Sequence, residues 1–397
     1  MESTDTIRTR RGLPGWLVAI LPLAILAAAI WLFVEFDPLR PLTGGQPPVE
    51  ILSVERAELK PGTIKLHVVN GGPEPVTIAQ VQVDEAYWSF EVEPSQTLPR
   101  LGRALVTLPY PWVEGELHEV RLVSSTGVTF DHVIEVATAT PEPDGYLWLL
   151  FAWIGAFVGI VPVGLGLMWF PLLRRLRTRG LHFILALTIG LLVFLLVDTV
   201  LEGIEIGETI PDVFQAVPLV FFAGLLSFLA LVAVSRRRRE GDRTTRSGRL
   251  WIATALALGI GLHNLGEGMA IGAAITLGEA ALGSFLIIGF TLHNITEGVG
   301  IGAPMAHDEP GIIRLVGLAL LAGAPAIAGV WVGGFSYSPL LAVLFLAVGA
   351  GAILQVVYEV GRLLVSDEGE GVASWASVGG VAAGLAIMYA TALLVKF

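Results

Sequence analysis

The 397-residue chain contains no cysteine, which excludes disulfides, zinc–thiolate sites and thiol catalysis and argues against a soft carrier site for Cu(I). Any metal it binds is held by nitrogen and oxygen. Charge is scarce too: Asp, Glu, Lys and Arg make up 15% of the residues against 54% hydrophobic ones, and mean hydropathy is +0.73. That is too apolar for a soluble protein of this length. Basic residues are outnumbered overall, with an uneven net charge of −11, and between Glu50 and Asp144 fifteen Asp/Glu stand against six Lys/Arg. A phosphate-binding surface would be basic, so nucleic acid is not an expected partner; the lipid bilayer is.

What is present is a series of apolar runs. After an expected cytoplasmic tail at 1–14 with Arg8, Arg10 and Arg11, residues 15–35 have about the ~20-residue length a spanning helix needs. Bulky Trp31, Leu32 and Phe33 stand where a signal peptidase would need small residues, which favours an uncleaved transmembrane anchor over a signal peptide. A Pro-rich linker at 36–48 leads to a segment at 49–138 in which hydrophobicity alternates with period two. The runs are IKLHVV (64–69), VTIAQVQV (76–83) and VTFDHVIEV (128–136), separated by turn signals such as NGGP (70–73). This pattern predicts a small all-β sandwich. Its His67, His118 and His132 read as exposed strand histidines rather than as a metal-collecting module.

A short linker at 139–145 precedes residues 146–397, where eight further spans are expected at about 146–173, 181–205, 212–234, 250–273, 280–303, 312–333, 339–364 and 373–396. The expected fold class is an all-α polytopic membrane protein, an eight-helix bundle plus one N-terminal transmembrane helix, with the all-β sandwich outside. A cytoplasmic N-terminus places sixteen of the 24 Lys/Arg on the inner side. Seven of the others lie in the linker and β-segment, which the positive-inside rule does not govern, and the last is Lys396. The chain therefore reads as a multi-pass cell-membrane protein with the β-segment and C-terminus extracytoplasmic.

Two of the spans carry near-copies of one phrase, LHNLGEGMAIGA (262–273) and LHNITEGVGIGA (292–303), identical at eight of twelve positions. A charged side chain near the bilayer centre costs at least ~2.5–3.5 kcal/mol, so two Glu and two His at matching depth need a partner. The simplest partner is a bound cation. On a helix His263 and Glu267 share one face with Asn264 beside them, and His293, Asn294 and Glu297 repeat the arrangement. Imidazole, carboxylate and carboxamide together suit a first-row divalent ion that must bind and then leave. Each His follows the start of its run, Leu250 or Ala280, by thirteen residues, or ~20 Å of helix. Both phrases thus lie near the midplane of antiparallel helices, where transporters built from inverted elements bind substrate. The candidate metal ligands are His263, Asn264, Glu267, His293, Asn294 and Glu297. The phrase glycines allow close helix approach.

The phrases resemble the paired His-Asn-x-Pro-Glu-Gly signatures on the fourth and fifth helices of the ZIP family of divalent-metal transporters. The resemblance covers about residues 146–397, with eight spans, an outward C-terminus and a cytoplasmic loop between the third and fourth spans; residues 1–145 are outside it. It implies a transporter, often a homodimer, that imports ions such as Zn²⁺, Fe²⁺ or Mn²⁺ into the cytoplasm by alternating access. His263, Glu267 and Glu297 would be its first-site ligands, with Asn264, His293 and Asn294 as further ligands. Three departures stand out: Gly266 and Thr296 replace the proline before each Glu, Ala324 occupies the place of a carboxylate before Pro325, and the basic loop at 236–249 has no histidine. With Ala324 there, one metal site is expected and a second is left open.

Other polar residues interrupt the spans. Asp198 and Glu202, four apart with Glu205 a turn beyond, form a candidate metal path from outside. Gln355, Tyr358 and Glu359 lie near the inner half of the seventh span, and Glu359 resembles an acidic residue of many family members; an exit ligand and a helix–helix hydrogen bond are equally good readings. His182 and His307 read as solvated, with a metal-accepting trio of His307, Asp308 and Glu309 at the exit as the alternative for the second. No organic cofactor and no enzymatic activity are expected. One rival is an intramembrane metal-dependent hydrolase, although His-Glu-x-x-His zinc sites need two His a turn apart, whereas each helix here offers one His and one Glu. The other is a membrane metal sensor that signals through the β-segment.

Overall fold

The computed structural model describes residues 15–36, 49–237, 245–276, 280–336, 338–366 and 374–395. The expected tail at 1–14, nearly all of the Pro-rich linker, the centre of the basic loop at 238–244, the short loop at 277–279 and Lys396 lie outside them. The chain divides into two units, Met1–Val49 and Glu50–Phe397. In the first, the expected anchor is a helix, α1 (Gly15–Phe36). It is 22 residues long, about the length of a full span.

The second unit begins with nine strands: β1 (Leu52–Lys60), β2 (Thr63–Asn70), β3 (Val76–Val83), β4 (Ala86–Trp88), β5 (Glu91–Glu93), β6 (Thr97–Leu98), β7 (Arg103–Leu108), β8 (His118–Ser124) and β9 (Thr129–Ile134). They form two antiparallel sheets, β1-β2-β7-β5 and β4-β3-β8-β9 with β6 added to β3. Alternation decides what each sheet turns inward. Ile64, Leu66 and Val68 of β2 and Val106 and Leu108 of β7 meet Val81 and Val83 of β3 and Val120 and Leu122 of β8 in one apolar core. Full burial of such a side chain contributes ~1.5–3 kcal/mol, so this core holds the two sheets together. Strand β1 carries fully buried residues only near its ends, Leu52 and Leu59, so its period-two signal is weak.

The β3–β4 turn is fastened from inside. Asp84 (φ +49°) and Glu85 (φ +67°) both adopt the left-handed conformation, which an Asp tolerates better than most residues. The Asp84 carboxylate accepts from the Tyr110 hydroxyl at 2.6 Å, from His118 Nδ1 at 2.8 Å and from the Glu119 backbone N–H at 2.9 Å. The Val113 N–H donates to His118 Nε2 at 3.4 Å, a pattern that a neutral imidazole protonated on Nδ1 satisfies. His118, expected to be exposed, is thus 3% exposed; it sits on the inward register of β8 and found a carboxylate there. His67 pairs instead with Glu58 at 3.0 Å, and His132 is half-buried.

The helices follow: α2 (Gly145–Leu173), α3 (Thr178–Glu208), α4 (Ala216–Arg237), α5 (Arg246–Thr276), α6 (Ala280–Gly302), α7 (Ile312–Ser336), α8 (Pro339–Ser366) and α9 (Trp375–Val395). Seven of them are long and apolar enough to cross a membrane; the expected fourth span, on α5, is not among these seven. Helix α5 is 31 residues long, but two arginines, His263, Asn264 and Glu267 lower its hydropathy, and it buries most of its length against its neighbours instead of relying on lipid.

Two helices are irregular, and neither carries the repeated phrase. Helix α2 contains a π-helical turn at Ala156–Ile160, just before Pro162, and α7 is interrupted between Gly323 and Pro325. The irregular points touch each other: a Cβ on Gly323 would come within 2.6 Å of the Ile160 backbone, so only glycine permits this approach. Helices α2, α5, α6 and α7 pack chiefly with one another, as do α3, α4, α8 and α9; the α5–α8 and α6–α9 contacts join the groups. His182, expected to be solvated, is buried at the start of α3, while His307 is exposed.

The Asp84 clasp supports a pH prediction. Burial works to raise the Asp84 carboxyl, but its hydrogen bonds from Tyr110, His118 and Glu119 outweigh this and hold it below the usual carboxylate range, while the bond to Asp84 pushes Tyr110 up to about 12. A carboxyl held low stabilises the folded state above its unfolded value and loses that contribution as pH falls through the folded one. Amide exchange over residues 110–119, corrected for intrinsic rate, is expected to rise in wild type below about pH 4. Tyr110→Phe should weaken the clasp by about 1 kcal/mol at neutral pH, and Asp84→Asn should abolish the acid dependence.

Candidate metal centre

The repeated phrase places its groups by helical period. His263 and Glu267 lie one turn apart on α5 and His293 sits on the facing α6, so three side chains converge where the two helices cross. His263 Nε2 lies 3.0 Å from Glu267 Oε1, and His293 Nε2 lies 2.5 Å from the same oxygen. A ligand atom from each of the three can be chosen so that all lie within 4.8 Å of one another. His263 and Glu267 are 3% exposed and His293 6%. Metal–nitrogen and metal–oxygen bonds of ~2.0–2.2 Å fit such a group, and two imidazoles with one carboxylate are a borderline donor set of the kind Zn²⁺ and its neighbours accept. The buried His263/Glu267/His293 group can hold a metal ion. No Lys or Arg pairs with Glu267 among the described residues, and the two imidazoles are its nearest polar partners.

The other three phrase residues stand differently. Glu297 is 4% exposed and lies outside the three-residue group; neither of its oxygens has a hydrogen-bond partner among the described residues. A buried carboxylate without partners is costly unless it is protonated or meets a cation. Asn264 and Asn294 are fully buried and turn their amides away along neighbouring helices. Asn264 Nδ2 donates to the Ala322 carbonyl at 3.0 Å, and Asn294 Nδ2 donates to the Val158 carbonyl at 3.0 Å and lies 3.4 Å from Glu267 Oε2. The carbonyl oxygens of both amides remain without a partner among the described residues.

These two acceptors belong to the irregular points of α7 and α2. Val158 lies four residues before Pro162, so its carbonyl has lost its α-helical donor. Ala322 lies just before the interruption at Ala324, one residue beyond the carbonyl that Pro325 leaves without a donor. Each Asn of the repeat therefore binds backbone next to a proline-marked defect in a neighbouring helix. In this the two halves of the repeat are equivalent. Helices α5 and α6 are themselves unbroken at Gly266 and Thr296, where the resemblance would place prolines, and the Thr296 hydroxyl folds back to the His293 carbonyl at 2.5 Å.

Of the candidate path residues, Asp198 and Glu202 line a cavity of about 630 Å³ together with Glu205, Phe290, Met388 and His293. The wall of carboxylates on α3 thus reaches one member of the metal-capable group. Glu359 and Gln355 are both 2% exposed, on α8, away from that cavity; Ser235 Oγ donates to Glu359 Oε1 at 2.9 Å, so the helix–helix bond is present. The backbone carbonyls of Val158 and Ala322 were not among the sequence candidates, although Pro162 and Pro325 mark their neighbourhood.

No protein-family model matches this chain, and no curated protein is similar to it in sequence. The fold and the site define a multi-span membrane protein with a β-sheet region and a buried His/Glu/His group able to hold a metal ion.

The Asn contacts are testable on stability alone. Asn294→Ala and Asn264→Ala each strip a buried carbonyl of its donor, at an expected cost of about 1–3 kcal/mol. Thermal unfolding of the metal-free protein in detergent reads this directly; unchanged midpoints in both variants would show that the amides carry no structural load.

Proposed function

We propose that the protein is a ZIP-like transporter that moves divalent transition-metal cations of the Zn²⁺, Fe²⁺ or Mn²⁺ type through the membrane, inward to the cytoplasm. The observation that carries this reading is a cavity with carboxylates on its wall that reaches His293 of the buried His263/Glu267/His293 group. In this mechanism a hydrated cation is drawn past Asp198 and Glu202 by their negative charge and exchanges water for His263, Glu267 and His293. Glu297 and the Asn264 and Asn294 carbonyl oxygens are further donors, each buried and without another partner among the described residues. A metal ion satisfies oxygens that the protein alone leaves unpaired, which is the physical reason for preferring a cation to a proton network here.

Release follows from moving one helix group against the other. The metal-bearing α5 and α6 are held to α2 and α7 by the Asn contacts and close packing, so these four helices can shift as a body along α3, α8 and α9. In the proposed membrane orientation the N-terminus and basic loops are cytoplasmic, the β-sheets and C-terminus extracytoplasmic, and eight helices from α2 to α9 span, with α1 as an anchor. A homodimer is the proposed assembly. Gln355 and Glu359 are proposed to lie along the exit. A hydrolase also needs metal and water, but the His-Glu-x-x-His arrangement places two histidines one turn apart, whereas each helix here offers one His and one Glu.

Uptake into liposomes by the purified protein tests the reading. Wild type should accumulate Zn²⁺, Fe²⁺ or Mn²⁺, and Glu267→Gln or His293→Ala should reduce uptake by at least about ten-fold, in keeping with loss of a metal ligand. Imidazole ligands bind metal only when unprotonated, so uptake should be weaker at about pH 5 than at about pH 7.5 when no proton gradient is applied. Absence of flux combined with hydrolysis that Glu267→Ala abolishes would sink the transport reading.

A further inference from the structure

The end of the bundle where α5 and α7 begin holds a second cluster of charge, outside the repeated phrases. Arg249 grips Asp308 with two bonds, Nε to Oδ2 at 2.8 Å and Nη2 to Oδ1 at 2.6 Å, and Arg174 Nη2 reaches the Glu309 carboxylate at 2.5 Å. The two acids of the loop between α6 and α7 are thereby taken. Two further arginines stand beside them. Among the described residues Arg246 meets only the Glu309 backbone carbonyl, at 3.0 Å. Arg314 meets the Leu250 carbonyl at 3.3 Å and the Thr254 hydroxyl at 2.6 Å. Neither guanidinium has a carboxylate partner among the described residues. Both line one cavity of about 410 Å³, together with Leu250, Trp251 and Pro310.

Two guanidinium groups facing a common cavity, each with unused N–H donors, make a site for an anion, and the planar fork suits the oxygens of a phosphate. The surroundings select the kind of phosphate. From the cavity α7 turns Ile313, Val316 and Leu320 outward, 85%, 50% and 46% exposed, at spacings of three and four that form one stripe along the helix. A free anion has no use for that stripe; acyl chains do. Trp251 beside the arginines fits the depth at which amphipathic rings and headgroups meet. We infer that the Arg246–Arg314 cavity binds the phosphate of an anionic phospholipid, whose chains lie along Ile313, Val316 and Leu320. Basic pockets between membrane helices take such headgroups. Because Arg246 also holds the Glu309 carbonyl, the lipid sits where the α6–α7 loop is anchored.

The test counts lipid on the full-length protein, metal-free, in detergent. Native mass spectrometry during titration with phosphatidylglycerol or with phosphatidylcholine of the same chains should show at least one tightly held phosphatidylglycerol and no comparable phosphatidylcholine. In Arg246→Gln/Arg314→Gln its apparent affinity should fall about thirty-fold, which at about 1.4 kcal/mol per factor of ten is about 2 kcal/mol, the sum for two arginines at an anionic membrane surface. Arg246→Lys/Arg314→Lys, which keeps the charge, should retain most of it. Inorganic phosphate at millimolar concentration should not displace the lipid. Equal retention of both lipids by wild type, undiminished phosphatidylglycerol on the Gln variant, or displacement by inorganic phosphate would each overturn the proposal; the wild-type comparison stands even if the Gln variant does not fold.

Discussion

The structure depends on the cost of placing an ionised carboxylate in an apolar interior. Glu267 is buried among helices with no arginine or lysine paired to it among the described residues, and its hydrogen-bond partners there are His263, His293 and the Asn294 amide. Such a group must be neutralised, protonated or given a cation. The rest of the bundle is consistent with a fold built around that requirement. Helix α5 is too polar to stand in lipid unaided and is enclosed by α6, α7 and α8; the apolar faces that meet the membrane are left to the seven helices that can afford them.

Close packing around the group comes from defects placed next to it. The π-helical turn of α2 and the interruption of α7 each free backbone carbonyls, and in the same neighbourhood the bundle offers a buried carboxamide from the repeated phrase. Asn294 takes the Val158 carbonyl, so a polar group that would be costly in one helix offsets a lost bond in another, and Asn264 takes the Ala322 carbonyl beside the one that Pro325 frees. The Gly159 and Gly323 backbones lie against each other at the crossing, which leaves no room for side chains to intervene. The resulting four-helix body carries the His/Glu/His group on two helices and its supports on the other two. At the opposite extreme of the same chain, the Asp84 clasp solves a similar problem at the edge of a β-sheet, where a carboxylate in a left-handed turn collects three donors.

Much of this was legible in the residues. Period two marked β2, β3 and β9, and the described helices fall close to the apolar runs, because side-chain alternation and span length are local properties. The buried His and Glu of both phrases were equally visible, since nothing local explains an ionisable group in an apolar run. Other features escaped. Strand β1 buries little except at its ends, so it did not stand out. His118 and His182 looked solvated, yet their burial depends on which register faces the core and on what a distant strand or helix offers there. The hydropathy of α5 left its place in the bundle to be settled by packing against its neighbours.

The candidate ligands divide along the same line. Spacing of four by itself put His263 beside Glu267, because a helix has 3.6 residues per turn and needs no partner to define its face. Which of the phrase residues meet across α5 and α6 was decided only by the tertiary crossing. It brings His293 to Glu267, keeps Glu297 outside the three-residue group, and turns both asparagine amides toward carbonyls of α2 and α7 that lie more than fifty residues away in sequence. A sequence specifies the chemistry available on each face; a crossing angle and a proline-induced defect determine which chemistry arrives at one point.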